Sequence, residues 1–273
     1  MTSTRLPISA YVICFNEADY IENCIRSLKP CSEIIVVDSG STDGTLELLE
    51  RLQAEGFPLT IVDQPWLGYA GQKQRALDLC TESWCLNLDA DERLDRDLRA
   101  ELPQLIAAPA EIEAWRIVRR PYLIGHGYVP RGTGDRSHPR LARKGAASYD
   151  LSLKVHESLR VSGQVALANR GGILHYRPLP IDEQIVKEAK YATLKAQHKY
   201  ASGKRSNLLR LVFSPFVWLF RFYFRYRLYR YGSSGLIQAG TSAIYAFLTE
   251  AKMLQLEAAE RRPDRDEPRL RAP

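Results

Sequence analysis

Short glycine motifs for nucleotide binding are missing from this chain. The first apolar segment ends in Cys14-Phe15-Asn16-Glu17, where a dehydrogenase-type fold needs Gly-x-Gly-x-x-Gly for close approach to a pyrophosphate. The P-loop pattern Gly-x-x-x-x-Gly-Lys-Ser/Thr does not occur either. These two absences argue strongly against an NAD or FAD enzyme and against a P-loop NTPase.

Paired cysteines are also missing. The sequence has 5 cysteines, an odd number, and they form no Cys-x-x-Cys pair and no zinc-ligand spacing. This pattern favours free thiols in a reducing compartment. Because the first residues run directly into a strand-like segment, there is no room for a signal peptide, and we expect a protein on the cytosolic side.

Long apolar runs and an even charge balance are absent as well. The longest uncharged run of the aromatic C-terminal segment, Leu211–Phe220, is far shorter than the ~20 residues that a membrane span requires. Hydrophobic residues make up 45% of the 273 residues, enough for one large domain with or without an appendage. The formal charge of +6 indicates an anionic partner, and on charge alone a nucleotide, a phosphorylated glycan, an acidic lipid or a nucleic acid would fit.

Strand-like and helix-like patterns alternate through the first hundred residues. The predicted strands are Ile8–Phe15, Glu33–Val37, Leu59–Val62 and Trp84–Leu88, and the predicted helices are Ala18–Leu28, Thr45–Gln53, Gln72–Cys80 and Arg93–Ile106. This alternation predicts an α/β fold with a mostly parallel sheet and helices on both faces. Ligands bind such sheets beyond the carboxyl ends of the strands. The polar clusters Asn16-Glu17, Asp38-Ser39 and Asp89–Asp91 all fall at such ends, so we expect an active site there.

The segment Asp89-Ala-Asp91-Glu92 places three carboxylates directly after a buried strand. Carboxylates repel one another and resist burial, so such a cluster is costly unless a cation shares it. Mg²⁺ and Mn²⁺ prefer oxygen ligands, typically one or two carboxylates with substrate phosphates. The alternative is a solvated turn into the Arg93–Ile106 helix, with the acids near its N-terminus favoured by the helix dipole.

The second strand ends in Asp38-Ser-Gly-Ser-Thr-Asp43-Gly44. A capped strand-to-helix turn explains Ser41, Thr42 and Gly44. It explains Asp38 less well, because that side chain belongs to the strand, and we interpret Asp38 as a ligand-binding residue. Asp43 is interpreted as part of the turn.

Four motifs together resemble family 2 glycosyltransferases in order and spacing. They are Asn16-Glu17, Val37-Asp38-Ser-Gly-Ser-Thr-Asp43, Gly71-Gln-Lys73-Gln-Arg75 and Leu88-Asp89-Ala-Asp91-Glu92, and the resemblance covers about residues 8 to 180. Within the family, Val155-His156-Glu157 and Leu174-His175-Tyr176 resemble the lipopolysaccharide core β-glucosyltransferase branch. The resemblance implies the GT-A fold.

The resemblance implies roles for individual residues at the donor. Asp38 would bind the uracil or ribose of a UDP-sugar, and Asn16 and Glu17 would border the nucleoside. Asp89 would meet the ribose and the donor sugar, while Asp91 would ligate the Mg²⁺ or Mn²⁺ ion that bridges the diphosphate.

Four further roles each have a plain alternative. Lys73 and Arg75 would bring positive charge near the donor, although either could lie on an exposed helix face. His175 would be a third metal ligand, or a packing residue. Glu157 would be the base that deprotonates the acceptor hydroxyl, or a surface partner of a nearby lysine or arginine.

The implied reaction is metal-assisted, inverting transfer of a hexose, with glucose favoured, to a lipid-linked inner-core heptose of lipopolysaccharide. Transfer to a polyprenyl phosphate or another surface glycan is the first alternative. A sugar nucleotidyltransferase would carry a glycine- and arginine-rich loop where this chain has Asn16-Glu17-Ala-Asp19. A binding protein without catalysis is a third class, against which Asp91 and Glu157 argue.

The C-terminal part has a different character. We assign residues 1–200 to the catalytic domain, 201–260 to a helical extension and 261–273 to a disordered tail. Arginines and aromatic rings alternate over Leu208–Tyr231, which favours a helix lying in the plane of an anionic membrane on its cytosolic face. Packing on the catalytic domain and a dimer interface are the alternatives. A nucleic-acid role is disfavoured, because the catalytic motifs leave it no purpose.

Overall fold

The computed structural model describes residues 5–136, 138–151 and 158–261, and the chain folds as two compact units. The sheet unit runs to Tyr122 and continues over Tyr128–Arg177. The helical unit comprises Leu123–Gly127 and the chain from Pro178 onward. The boundary between them therefore falls after residue 177 rather than at the expected residue 200. The expected disordered tail lies, apart from Arg261, outside the described residues.

The strands and helices follow the predicted alternation in the first hundred residues. The strands are β1 Leu6–Cys14, β2 Cys31–Asp38, β3 Leu59–Asp63, β4 Trp84–Asp89, β5 Glu92–Leu94, β6 Ile112–Leu123, β7 Gly127–Tyr128, β8 Pro139–Arg143, β9 Ala147–Tyr149, β10 Leu159–Val161 and β11 Gln164–His175. The helices are α1 Ile21–Ser27, α2 Thr45–Ala54, α3 Gly68–Asp78, α4 Arg96–Ile106, α5 Ile181–Ala201, α6 Leu208–Phe220 and α7 Gly232–Arg261. Beyond Arg119 the chain continues β6 and then forms β7, β8 and β9.

The main sheet has the order β3-β2-β1-β4-β8-β6-β11-β5, with β7 beside β6. Strands β1 to β4 run parallel, β8 is antiparallel to both of its neighbours, and β5 is antiparallel to β11. Alternate residues of β1 enter different cores. Ile8 and Val12 pack with α1, α2 and α4, whereas Tyr11 packs with α3 on the other face. The predicted mostly parallel sheet with helices on both faces is confirmed.

The register of the sheet aligns the ends of three strands. Cys14 pairs with Asp38 across β1 and β2, and Ile13 pairs with Asp89 across β1 and β4. The three polar clusters therefore follow neighbouring strands at one edge, as the sequence predicts.

The predicted helix Arg93–Ile106 begins three residues too early. Residues 92–94 instead form β5, which pairs antiparallel with the end of β11, so that Glu92 lies opposite His175. Helix α4 starts at Arg96, and Asp95 caps it by accepting a hydrogen bond from the Leu98 amide at 2.7 Å. The alternative of a solvated turn is wrong as well, because Glu92 is only 1% exposed.

Strand β11 has an irregularity between Leu167 and Gly172 that packs closely against α4. The Glu101 carboxylate of α4 accepts hydrogen bonds from the amides of Asn169, Arg170 and Gly171, at 2.7 to 3.1 Å. A Cβ at Gly171 would lie 2.0 Å from the backbone nitrogen of Leu98, so only glycine allows this close approach of helix and strand. This close packing thus fixes the course of β11 toward β5.

The helical unit packs α5 and α6 against α7. Lys199 on α5 and Glu250 on α7 form an ion pair at 2.8 Å, and the Glu250 carboxylate also accepts from the Ser206 hydroxyl at 2.7 Å. The segment Leu208–Tyr231 is not one helix as expected. It breaks after Phe220 into a π-helical turn, Arg221–Arg225, and a 3₁₀ turn, Leu228–Tyr231. Within the described ranges, no helix combines the length and apolar character needed to span a bilayer.

The cysteines are consistent with the sequence-based interpretation. All five are free thiols buried in the sheet unit. Burial raises the pKa of Cys31 to about 12, so that thiol is inert at neutral pH.

Candidate active site

An open cleft lies beyond the ends of β1 and β2. Its volume is about 570 Å³, within the range of small-molecule sites. Phe15, Trp66 and Tyr69 line it with half-exposed rings, and the last two rings meet edge to face at 4.9 Å between centroids. Glu17 and Ser39 supply polar groups. The cleft therefore offers flat apolar surfaces on which a planar ring such as a nucleobase can stack, together with a few hydrogen-bonding groups.

The two loops at this cleft are tied together by Asn16. Its side-chain oxygen accepts from the Thr42 amide at 2.8 Å, and its own amide donates to the Ser41 hydroxyl at 2.8 Å. Asn16 has a φ of 55°, a left-handed conformation that asparagine tolerates better than most residues. Asn16 therefore shapes the cleft border where a nucleoside contact was expected.

Asp38 is 1% exposed and its carboxylate is used by the turn that follows it. One oxygen accepts from the amides of Gly40 and Ser41, both at 2.8 Å, and the other accepts from the hydroxyl of Ser41 and, at 3.3 Å, from the Cys14 thiol. A role in stabilising the strand-to-helix turn therefore accounts for Asp38 better than the sequence suggested. Its contact with a nucleoside stays a prediction.

Lys73 is buried and points at the end of β4. Its Nζ lies 2.9 Å from Asp89 Oδ1, with only 9% of the side chain exposed. The alternative of an exposed helix position is therefore wrong for Lys73. Burial alone would lower the pKa of Lys73, but the adjacent Asp89 carboxylate outweighs it and the pKa is raised. Arg75 is exposed on the same helix, and the structure does not bring it to this group.

Lysine and arginine side chains neutralise the carboxylates of Asp89 and Glu92. Glu92 forms ion pairs with Arg119 at 2.6 Å and Arg140 at 3.0 Å, and it accepts from the Asp89 amide at 3.0 Å. Burial raises the pKa of Asp89, but Lys73 and Arg140 lower it more, so its pKa lies well below the usual range. Asp89 is thus ionised, and Glu92 is held in the floor of the site by its two arginine partners.

Asp91 stands apart from them and contacts His175 and Arg177. Its Oδ2 lies 3.2 Å from His175 Nε2 and 3.2 Å from Arg177 Nε. The backbone bond from the Tyr176 amide to the Asp91 carbonyl, 2.9 Å, holds the two segments together. Burial would raise the pKa of Asp91, but the hydrogen bond with His175 and the charge of Arg177 lower it more. The predicted Asp91–His175 pair is thus brought together by β5 and β11.

Arg177 also forms an ion pair with Glu17, in which the guanidinium contacts the carboxylate. Glu17 is the first carboxylate at the edge of the cleft. Its pKa is raised because burial outweighs the effect of Arg177. Sequence reasoning missed Arg177, Arg140 and Trp66. A basic or aromatic residue shortly after a strand end would have signalled Arg177 and Trp66, whereas Arg140 lies inside β8 and carries no such signal.

The donor set at Asp91 fits a hard divalent cation. The Asp91 carboxylate oxygen suits Mg²⁺ and Mn²⁺ alike, and the His175 imidazole nitrogen on the adjacent segment suits Mn²⁺ alongside the carboxylate. Within the described part of the chain, no group of three or more His, Cys, Asp or Glu side chains could hold a metal. A cation here would therefore take its remaining ligands from water and from substrate phosphates, as Mg²⁺ commonly does. The predicted base Glu157 lies outside the described residues.

The sheet order, the cleft at the strand ends and the Asp91–His175 pair define a GT-A-like fold. The crystal structure of the S. aureus TarS 1–349 fragment with UDP is similar, with a TM-score of 0.50 at 14% identity over 96% of this chain and 93% of that one. The chain spans 55% of the longer TarS chain. The mannosyltransferase PcManGT from Pyrobaculum calidifontis, solved with GDP-Man and Mn²⁺, also has a TM-score of 0.50, at 17% identity over 94% of this chain and 76% of that one.

Residues 9–148 match the profile of Glycosyl transferase family 2. The chain is 52% identical over 263 residues to the lipopolysaccharide core biosynthesis glycosyltransferase LpsC of Rhizobium meliloti (strain 1021). The aligned residues cover 96% of this chain and 97% of LpsC. The chain therefore belongs to glycosyl transferase family 2, and the resemblance found in its four motifs is confirmed.

Proposed function

We propose that this glycosyltransferase moves a hexose, with glucose favoured, from a UDP-sugar to an inner-core heptose of lipopolysaccharide with inversion. The single observation that carries the proposal is the Asp91–His175 pair at the edge of an aromatic-lined cleft, in a chain that is 52% identical to LpsC. LpsC is described as a lipopolysaccharide core biosynthesis enzyme, which supports the acceptor class.

The cleft residues bind and orient the donor in this proposal. Trp66, Tyr69 and Phe15 stack on or border the uracil, and Glu17 borders the nucleoside. Asp38, the last residue of β2, is assigned to the uracil or ribose. The Lys73–Asp89 ion pair fixes the Asp89 carboxylate at the strand end, where it meets the ribose and the donor sugar. Arg75 is assigned to the outer part of the donor region, where its exposed charge attracts an anionic substrate.

Asp91 and His175 would hold the divalent cation. When bound, Mg²⁺ or Mn²⁺ neutralises charge that builds on the departing diphosphate and orients it as a Lewis acid. The fold is shared with PcManGT, which was solved with GDP-Man and Mn²⁺. The protein residues supply a carboxylate that stays ionised, because its pKa is lowered by its neighbours.

Glu157 is the base in this mechanism. Inversion requires removal of the acceptor proton as the hydroxyl attacks the anomeric carbon, and one carboxylate within hydrogen-bond reach is sufficient. Glu157 is assigned this role from the Val155-His156-Glu157 motif, which resembles the lipopolysaccharide core branch of the family.

The helical unit docks on anionic membrane in this proposal. An apolar stripe on α6 is 46% to 70% exposed and repeats with helical spacing: Leu208, Leu209, Val212, Phe213, Phe216, Val217 and Phe220. Exposed arginines follow it directly, at positions 221, 225, 227 and 230. Apolar burial combined with attraction to anionic headgroups is the basis of in-plane attachment. Docking would bring a lipid-linked acceptor on the cytosolic face of the inner membrane to the enzyme.

The proposal is tested by mass analysis of the lipopolysaccharide core. A strain lacking this protein should make a core that is shorter by at least one hexose, and the wild-type gene should restore it. An Asp91→Asn gene expressed at the same level should fail to restore it. A core of unchanged mass would contradict the assigned acceptor, and purified enzyme with UDP-glucose and extracted core would then identify the donor and product directly.

A further inference from the structure

Arg177 lies between the two halves of the candidate site. Its Nε is 3.2 Å from Asp91 Oδ2, and its guanidinium also contacts the Glu17 carboxylate. The guanidinium carbon is 5.0 Å from the centre of the Tyr20 ring, which supports its planar face. The Arg177 side chain is 35% exposed, so part of the guanidinium remains accessible to a ligand from solvent. One cation therefore bridges the proposed cation ligand and the edge of the nucleotide cleft.

The same carboxylate oxygen serves Arg177 and His175. Asp91 Oδ2 lies at 3.2 Å from both His175 Nε2 and Arg177 Nε. A divalent cation bound to that oxygen would come close to the guanidinium, and like charges at such a short separation repel strongly where water is partly excluded. Cation and guanidinium therefore compete for Asp91.

In the protein without bound donor, Arg177 neutralises the charge of two neighbouring carboxylates. Glu17 and Asp91 are largely buried carboxylates, and Glu17 would face the cleft without this counter-charge if Arg177 were absent. An unpaired, partly buried carboxylate is costly and would also repel an anionic substrate. Arg177 balances both carboxylates at once.

We infer that Arg177 is a diphosphate-binding residue that Asp91 and Glu17 hold until cation and nucleotide arrive together. The cation takes over Asp91, and the guanidinium turns to the donor phosphates, which its planar donor fork fits in a bidentate manner. This inference rests on the proposed function for the nature of the donor. It makes Arg177 a binding residue that couples the two ligands.

The coupling has a definite sign for each ligand. Without nucleotide, Arg177 opposes the cation, so its removal strengthens cation binding. With cation present, Arg177 binds phosphate, so its removal weakens nucleotide binding. A residue that merely supports the fold would weaken both when removed. Opposite changes therefore distinguish the inferred role from a structural one.

The test measures Mn²⁺ and nucleotide binding by the purified full-length chain and needs no turnover. Free Mn²⁺ is followed by its electron paramagnetic resonance signal, and UDP and uridine are titrated by calorimetry with Mn²⁺ present. For Arg177→Gln we expect at least about fivefold tighter Mn²⁺ binding and at least about fivefold weaker UDP binding, the lower end of usual coupling between sites. Uridine binding should be unchanged, because uridine has no phosphate.

Two further variants sharpen the result. Arg177→Lys keeps the charge that opposes Mn²⁺ but loses the bidentate fork, so Mn²⁺ affinity should stay within about twofold while UDP affinity falls. Arg93→Gln is the matched control: Arg93 is an arginine two residues from Asp91 that donates to the Tyr128 hydroxyl at 3.0 Å, and its loss should change neither affinity. Thermal unfolding establishes that each variant is folded. If Arg177→Gln does not fold, the Lys variant alone carries the test.

Three outcomes would overturn the inference. They are parallel weakening of Mn²⁺ and UDP binding in the Arg177 variants, unchanged affinities for both, and absence of Mn²⁺ binding in wild type and variant alike. If the wild type binds Mn²⁺ but neither UDP nor GDP, the donor class of the proposed function fails. The Mn²⁺ measurement then still decides whether Arg177 competes for Asp91.

Discussion

Lys73 Nζ lies 2.9 Å from Asp89 Oδ1 and joins helix α3 to the carboxyl end of β4. The ammonium is buried, and Asp89 is the carboxylate that stands directly beside it, with Tyr149 and Arg140 as further neighbours. The ion pair therefore fixes the geometry of the strand end from which the Asp89–Glu92 segment departs.

Removing one partner of this pair should destabilise the protein more than removing both. We expect Asp89→Asn to lower the free energy of unfolding by about 3 kcal/mol, the lower end for a broken buried pair, because Asp89 is 33% exposed. The double variant Lys73→Met/Asp89→Asn should recover part of this loss, since no ammonium is left unpaired. Urea unfolding of wild type, the two single variants and the double variant measures the coupling free energy between Lys73 and Asp89. Strictly additive losses of stability would contradict this coupling.

The pH dependence of this difference has a predicted direction. The pKa of Asp89 is lower in the folded protein than its ordinary value of about 3.9. Its stabilising effect is therefore complete above about pH 5 and declines as the pH falls below about 4 toward the folded pKa. The gap between wild type and Asp89→Asn should be constant from pH 5 to 7 and shrink only in acid. A gap that closes near neutral pH would show that another group is responsible.

Asp91→Asn should abolish most turnover while the protein stays folded. A neutral amide is a poor ligand for a hard cation, and loss of one charge-stabilising group commonly costs about 100-fold or more in rate. Excess chelator should have the same effect on wild type, and Mn²⁺ or Mg²⁺ should restore activity. Asp97→Asn, at an exposed acid on α4, is the matched control and should be fully active. Full wild-type turnover in excess chelator is incompatible with the metal-assisted mechanism.

Glu157→Gln should reduce transfer by a factor of about 100 or more, the usual scale for loss of a general base. The binding constant for UDP should barely change, because the base acts on the acceptor. Glu111→Gln, an exposed glutamate before β6, serves as the control. Near-normal transfer would shift the role to another carboxylate, with Asp135 and Asp150 tested next.

Some features of the site follow directly from sequence and others depend on tertiary contacts. Parallel strands end at a common edge, so Asn16, Asp38 and Asp89 could be placed together before the fold was known. The three-residue strand β5 is too short to show a period of two, and the helix-like pattern after it concealed it. The existence of the Asp91–His175 pair was expected from resemblance, but its cause, the pairing of β5 with β11, was not.

Buried charge was the harder part to predict. Lys73 lies on the buried face of α3 with Gln72 and Ala76, and a lysine in a helix is most often exposed. Its partner Asp89 is 16 residues away in the chain, and Arg177 lies 160 residues from Glu17. Such pairs leave no periodic signal in one sequence, because only the folded sheet brings them together.

Gly171→Ala should destabilise the sheet unit by about 3 kcal/mol, the upper end for overpacking, because its Cβ would lie 2.0 Å from the Leu98 backbone nitrogen. Helix α4 would have to move away from the β11 irregularity that Glu101 holds. Gly240→Ala is the matched control: a Cβ there meets nothing within 4 Å in α7, so it should be neutral or stabilise slightly. Urea unfolding followed by circular dichroism compares the two. Equal stability of both variants would show that the helix can shift without cost.

Attachment of the helical unit to lipid should depend on the arginines that follow the apolar stripe of α6. Changing Arg221, Arg225 and Arg227 to Glu reverses three charges beside seven exposed apolar side chains. Each basic residue near an anionic surface contributes about 1 kcal/mol, so the reversal should weaken binding to anionic vesicles by two orders of magnitude or more. Wild-type binding should weaken as the salt concentration rises, because salt screens these charges.

The control for this experiment carries the same change in charge elsewhere. Arg96, Arg99 and Arg116 are exposed in the sheet unit, and their replacement by Glu leaves the α6 stripe and its arginines intact. Co-sedimentation with vesicles of anionic and of neutral lipid should show binding by wild type and control to the anionic vesicles, and loss of it in the α6 variant. Equal binding by the α6 variant and wild type, or no binding by either, would refute the membrane role. The apolar stripe would then be assigned to packing or to a dimer interface, which sedimentation equilibrium would detect as a change in mass.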